Sequence, residues 1–135
     1  MAEIVSHAST IAGVQEMDDQ HGILVDSLSA IGQQLRCGKS GSKLTEQIAR
    51  LVEFTDLHFG CEESLLLRYD FPGLDEHHKA HRNLMNQIKL AARRAEHAQN
   101  AELEQMLTAI RGQYLRHVEE LDREYGRWLN AHGVY

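Results

Sequence analysis

The stretch HFGCEESLLLRYDFPGLDEHHKAH, residues 58–81, decides how this chain folds. It carries two polar pairs, His58 with Glu62 and His77 with His81, each at a spacing of four residues, and between them the reversal signal Asp70-Phe-Pro-Gly73. On an α-helix, positions four apart are separated by about 400° of rotation and about 6 Å of rise, so each pair projects from one face, one turn apart. Pro and Gly in the intervening segment favour chain reversal over helix. Two helices are therefore folded back on each other, each with a two-pronged polar grip.

Outward from this hairpin the helical period continues. The helix carrying His58 spans about Lys43 to Tyr69, with Leu44, Ile48, Leu51, Val52, Leu65 and Leu66 on its apolar side. Its partner runs from about Leu74 to Glu96, with Leu84, Ile88 and Ala91 or Ala92 on one side and Arg93 and Arg94 near its negative pole. Upstream, Cys37-Gly-Lys-Ser-Gly-Ser42 marks a break, before which Leu24, Leu28, Ile31 and Leu35 form a stripe from about Asp18 to Arg36. Downstream, a polar link from His97 to Asn100 leads into a fourth segment, about Ala101 to Asn130, with Leu103, Leu107, Ile110, Tyr114, Leu121, Tyr125 and Trp128. Strand-like alternation is absent. Four helices with short links can bury their stripes only against one another, so the expected fold is all-α, an antiparallel up-down-up-down four-helix bundle. Residues 1–17 lack a steady period and are expected to form an N-terminal arm, making one domain over 1–135 with its bundle at 18–130.

Bulk properties narrow the function. The 135 residues are 42% hydrophobic, enough for one core but not two. Fourteen Lys and Arg face 20 Asp and Glu, net charge −6, and no window concentrates the cations, so nucleic acid is not an expected partner. The start carries Glu3 and no basic region, and no apolar run approaches the roughly 18 residues of a membrane span. A cytoplasmic protein without membrane insertion is expected. Cys37 and Cys61 form no CxxC and are expected as reduced thiols.

Nine histidines are the anomaly of the composition. His21 lies on the first helix, His58 and Glu62 on the second, His77 and His81 on the third, and His117 and Asp122 on the fourth, so every helix supplies a ligand candidate. Burying several imidazoles and carboxylates without partners costs several kcal/mol, a cost that a metal removes. Five imidazoles and two carboxylates exceed what one tetrahedral zinc uses, and HExxH is absent, whereas two octahedral-type ions bridged by carboxylates suit them. The chain contains no Glu-x-x-His, the motif of carboxylate-rich di-iron oxidation sites. Imidazole suits iron among several metals, and a neutral-ligand set favours oxygen binding over oxygen cleavage. One spacing conflicts with a regular helix: the five-residue step from His117 to Asp122 turns about 140°. A local π-type widening, or a sideways reach by Asp122, is expected there. His7, His78, His97 and His132 are expected outside the site, Cys61 as a small buried thiol, Glu63 as a supporting or surface acid, and Tyr125 and Trp128 as core or interface aromatics.

Four blocks, Met17-Asp-Asp-Gln-His21, His58-Phe-Gly-Cys-Glu62-Glu63, His77-His-Lys-Ala-His81 and His117-Val-Glu-Glu-Leu-Asp122, resemble those of the hemerythrins, the bacteriohemerythrins among them, over about Gly13 to Leu129. The resemblance implies that His77, His81 and His117 ligate one iron, that His21 and His58 ligate the other, and that Glu62 and Asp122 bridge both with an oxo or hydroxo group. It implies a vacant position on the two-histidine iron where molecular oxygen binds reversibly, for carriage, storage or delivery to an oxygen-consuming recipient, rather than an enzyme. By the same analogy Leu24, Phe59, Gln113, Tyr114 and Val118 border the oxygen pocket. Family members commonly have Trp and Leu where this chain has Gln113 and Tyr114. Alternative readings are a sensor of oxygen, redox state or iron acting through a partner, and a di-iron peroxidase or nitric-oxide-handling enzyme.

Overall fold

In a computed structural model, which describes residues 10–135, the chain forms helices α1 (Gln15–Arg36), α2 (Ser42–Arg68), α3 (Leu74–Arg94) and α4 (Asn100–His117). A π-helical turn (Val118–Asp122) follows, and α5 (Arg123–Ala131) prolongs α4, so the fourth rod of the bundle is α4, the π turn and α5 together. α1 packs on α2 and α4, and α3 packs on the same two neighbours, which makes a four-helix bundle of sequentially adjacent helices. Among the described residues there is no strand. No helix of the described residues is long and apolar enough to cross a membrane.

The helices form where the apolar stripes lie, with one difference at the start. α1 begins at Gln15, ahead of the expected start near Asp18, and Asp18 lies in its first turn. Its carboxylate reaches back from the first turn to accept the N–H groups of Ala12 (2.6 Å) and Gly13 (3.3 Å). The described part of the arm is thereby tied to α5. Asn130 donates to the Gly13 carbonyl at 3.0 Å and Arg123 to that of Ile11 at 3.1 Å. Gly13 has φ +115°, a left-handed backbone that suits glycine. Residues 1–9, including His7, lie outside the described residues.

Gly126 is required by a close approach of this arm. A Cβ there would stand 1.8 Å from the backbone carbonyl oxygen of Ala12. Gly126→Ala is therefore expected to cost about 1–3 kcal/mol through overpacking that only a backbone shift relieves. Chemical denaturation of the metal-free variant against the parent measures it.

Two apolar clusters fill the bundle. One contains Leu24, Leu28, Ile31, Phe59, Leu84, Ile88, Leu107, Tyr114 and Val118; the other contains Ala12, Val14, Met17, Leu66, Phe71, Tyr125 and Leu129. On α1, His21 falls between Met17 of the second cluster and Leu24 of the first. On the fourth rod, His117 and Asp122 fall between Tyr114 and Leu129. A polar layer thus crosses the bundle between two apolar plugs that keep water from it along the axis.

Candidate metal centre

That layer consists of His21, His58, Glu62, His77, His81, His117 and Asp122, none of them more than 6% exposed. The π turn explains how the last two share it. The Arg123 N–H bonds to the carbonyl of Val118, five residues back, so the helix widens and Asp122 returns to the face that His117 occupies. The widening was one of the two outcomes expected from the spacing.

The carboxylate oxygens are partitioned. Glu62 turns Oε2 to Nε2 of His21 (2.7 Å) and His58 (3.2 Å), and Oε1 to Nε2 of His81 (3.1 Å) and His77 (3.4 Å). Asp122 does the same, with Oδ2 at 3.1 Å from His21 Nε2 and Oδ1 at 2.9 and 3.1 Å from Nε2 of His77 and His117. Two groups result whose ligand atoms lie within 4.8 Å of one another: Glu62, His77, His81, His117 and Asp122, and His21, His58 and Glu62. Each group could hold a cation, and Glu62 belongs to both.

The outer ring nitrogens orient the inner ones. His21 Nδ1–H donates to the Thr10 carbonyl (2.9 Å), His58 Nδ1–H to Gln20 Oε1 (2.6 Å) and His81 Nδ1–H to Glu63 Oε2 (2.9 Å). A ring that donates through Nδ1 presents a lone pair at Nε2, the form in which imidazole binds a metal. Tyr125 donates to Glu62 Oε2 at 2.7 Å, and the Tyr114 hydroxyl lies 3.3 Å from His58 Nε2. Phe59 stacks on the His81 ring with centroids 3.8 Å apart.

Electrostatics show what the layer lacks. His81 Nε2, His117 Nε2 and both Asp122 oxygens are buried and make no hydrogen bond, although neighbouring polar atoms stand about 3 Å away in poor alignment. Each such orphan costs about 1–3 kcal/mol, more when charged. Burial pushes the His21 pKa down, but the neighbouring carboxylates of Asp122, Asp18 and Glu62 outweigh it and raise it to about 12. His77 is raised to about 9 against the same burial by Asp122 and Glu62. His81 is lowered, first by burial and then by the neighbouring His77 and His117, while Glu62 pulls it up. Burial raises the carboxyls of Glu62 and Asp122, yet the surrounding imidazoles hold both well below the usual range. Two buried anions are thus neutralised by protons on the rings, an arrangement that a divalent cation on each side would replace. Imidazole nitrogens and carboxylate oxygens suit iron and neighbouring first-row metals, so the donor set fits.

Of the residues expected around an oxygen pocket, Leu24, Phe59, Tyr114 and Val118 are buried in the apolar cluster beside the layer, while Gln113 is half-buried. His78, His97 and His132 are exposed. Cys61, expected as a buried thiol, is half-exposed, and both cysteines are free. Sequence reasoning assigned no role to Gln20 or Thr10 and treated Tyr125 as a packing aromatic; all three hold a member of the layer.

Comparisons with known proteins agree with this geometry. Residues 12–129 match the family model described as hemerythrin HHE cation binding domain. A bacteriohemerythrin of Methylococcus capsulatus is 25% identical over 115 residues, covering 84% of this chain and 86% of that one. Bacteriohemerythrins of Pseudomonas paraeruginosa (27% over 88 residues, 65% and 57% of the two chains) and Ralstonia nicotianae (24% over 116 residues, 86% and 81%) are similar to it too. No solved structure matches significantly. A bundle crossed by a layer of imidazoles and carboxylates able to bind metal, matched over nearly its whole length by this one model, places the chain in the hemerythrin family of cation-binding domains.

Proposed function

We propose that this protein binds molecular oxygen reversibly at a di-iron centre, for oxygen carriage, storage or delivery to an oxygen-consuming recipient in the cytoplasm, rather than turning oxygen over as an enzyme. The observation that carries the reading is the partition of Glu62 and Asp122, each with one oxygen toward His21 and the other toward the group of His77, His81 and His117. His77, His81 and His117 would hold one iron, His21 and His58 the other, and Glu62 and Asp122 would bridge them. When bound, iron would supply the redox chemistry that reversible capture of oxygen requires.

The remaining work belongs to the chain. Two imidazoles against three leave the His21 and His58 side the less crowded, and Phe59 and Tyr114 of the apolar cluster lie near it, with ring centroids 5.7 Å from His58 and 6.2 Å from His21. That cluster excludes water, which slows loss of the oxygenated state. Burial, joined by the charges of Asp122 and Glu62, pushes the Tyr114 phenol well above its ordinary pKa, so its hydroxyl stays a donor beside His58. Tyr114→Phe removes that donor and is expected to change the autoxidation rate about two- to tenfold, the worth of one hydrogen bond. An unchanged rate in stopped-flow or spectral decay would show that the hydroxyl takes no part.

The test of the whole reading is an oxygenation cycle. The iron-loaded protein is reduced anaerobically, oxygen is admitted, and the visible spectrum is followed as oxygen is removed again. A charge-transfer band that comes and goes with oxygen supports the proposal. Irreversible conversion to a diferric spectrum overturns it. Tyr114 is the specific observation favouring a peroxidase, and peroxide turnover well above that of free iron would move the reading there.

A further inference from the structure

The supports of the ligand rings differ in charge from one side of the layer to the other. His21 and His58 donate to neutral acceptors, the Thr10 carbonyl and the Gln20 amide oxygen, while the Asp18 carboxylate stands off from His21 Nδ1 at 3.7 Å, beyond hydrogen-bond length. His81 donates to a carboxylate, Glu63 Oε2, at 2.9 Å. The other oxygen of Glu63 is held by Nδ1 of His78, which stands exposed on α3 next to the buried His77. Phe59 stacks flat on the face of the His81 ring, with centroids 3.8 Å apart and planes 7° apart.

A carboxylate accepting from Nδ1–H draws the proton outward and leaves Nε2 the stronger donor, whereas an amide or carbonyl does so less. A stronger donor binds a metal more tightly and favours its higher oxidation state. We propose that Glu63 is a positioning residue that makes the two halves of the centre unequal, strengthening metal binding and easing oxidation on the His77, His81 and His117 side alone, with His78 as its outer clamp. This inference rests on the dinuclear reading above.

The test separates the two. Metal-free protein is titrated anaerobically with cobalt(II), followed by its visible absorption, and the wild type is expected to take up two equivalents. In Glu63→Gln, which keeps the size and one acceptor, affinity for one equivalent is expected to fall roughly tenfold or more while the other is unchanged. His78→Ala is expected to weaken the same equivalent by a smaller factor, and it provides the comparison should Glu63→Gln fold poorly. The iron-loaded Glu63→Gln protein is expected to show a more positive midpoint potential. Equal weakening of both equivalents, or of neither, overturns the role of Glu63 while the dinuclear reading stands. Fewer than two equivalents in the wild type overturns both.

Discussion

Glu62→Ala is expected to fold yet to lose high-affinity metal at both positions. Among the described residues Glu62 alone is common to both candidate metal groups, and its two oxygens face four imidazoles at 2.7–3.4 Å. Losing even a supporting hydrogen bond of a ligand commonly costs ten- to a hundredfold in metal affinity, so loss of a shared ligand is expected to cost each ion at least about a hundredfold. The metal-free fold should survive, because two apolar clusters flank the layer and one of two mutually repelling buried anions is gone. Metal analysis after dialysis and the rise in melting temperature on adding metal measure the effect. Glu119→Ala, an exposed acid of the π turn, is the control expected to change neither.

Metal uptake is expected to release about two protons at neutral pH, one for each ion, since His21 and His77 must give up protons held with pKa values raised to about 12 and about 9. Each affinity then falls about tenfold per unit of acidification. The two sides part above about pH 9, where the ion on the His77 side should level off while its neighbour on the His21 side continues to gain. Titration in buffers of different ionisation enthalpy counts the protons. The metal-free fold shows the opposite trend. His77 has a folded pKa above its ordinary value of 6.5, so its contribution to stability is complete below about pH 6.5 and is lost as pH rises through about 9. The melting temperature of the metal-free protein is expected to drop across that window.

Much of this was legible in the sequence because the polar pairs obey helical spacing and sit inside apolar stripes. His58 with Glu62 and His77 with His81 needed only the i, i+4 rule, and the turn at Asp70-Phe-Pro-Gly73 brought their helices together. The five-residue step from His117 was legible as a conflict, which the π turn resolves. What escaped were contacts made by tertiary approach. The Thr10 carbonyl that holds His21 is a backbone atom with no side-chain signature, and it arrives from eleven residues upstream. Gln20 adjoins His21 in sequence but serves His58 on another helix, 38 positions away. Tyr125 occupies an apolar-stripe position, and only the packing of α5 on α2 shows its hydroxyl reaching Glu62. α1 starts at Gln15, ahead of the stripe that begins near Asp18, and Asp18 binds back from within the first turn to the Ala12 and Gly13 N–H groups.

The pairing of Glu62 and Asp122 between two imidazole groups is tested most directly by diffraction from the iron-loaded protein at the iron absorption edge. Two anomalous peaks are predicted, one against His21 and His58 and the other against His77, His81 and His117, with a carboxylate oxygen of Glu62 and of Asp122 on each. A single peak, or a pair that either carboxylate fails to join, would contradict the account.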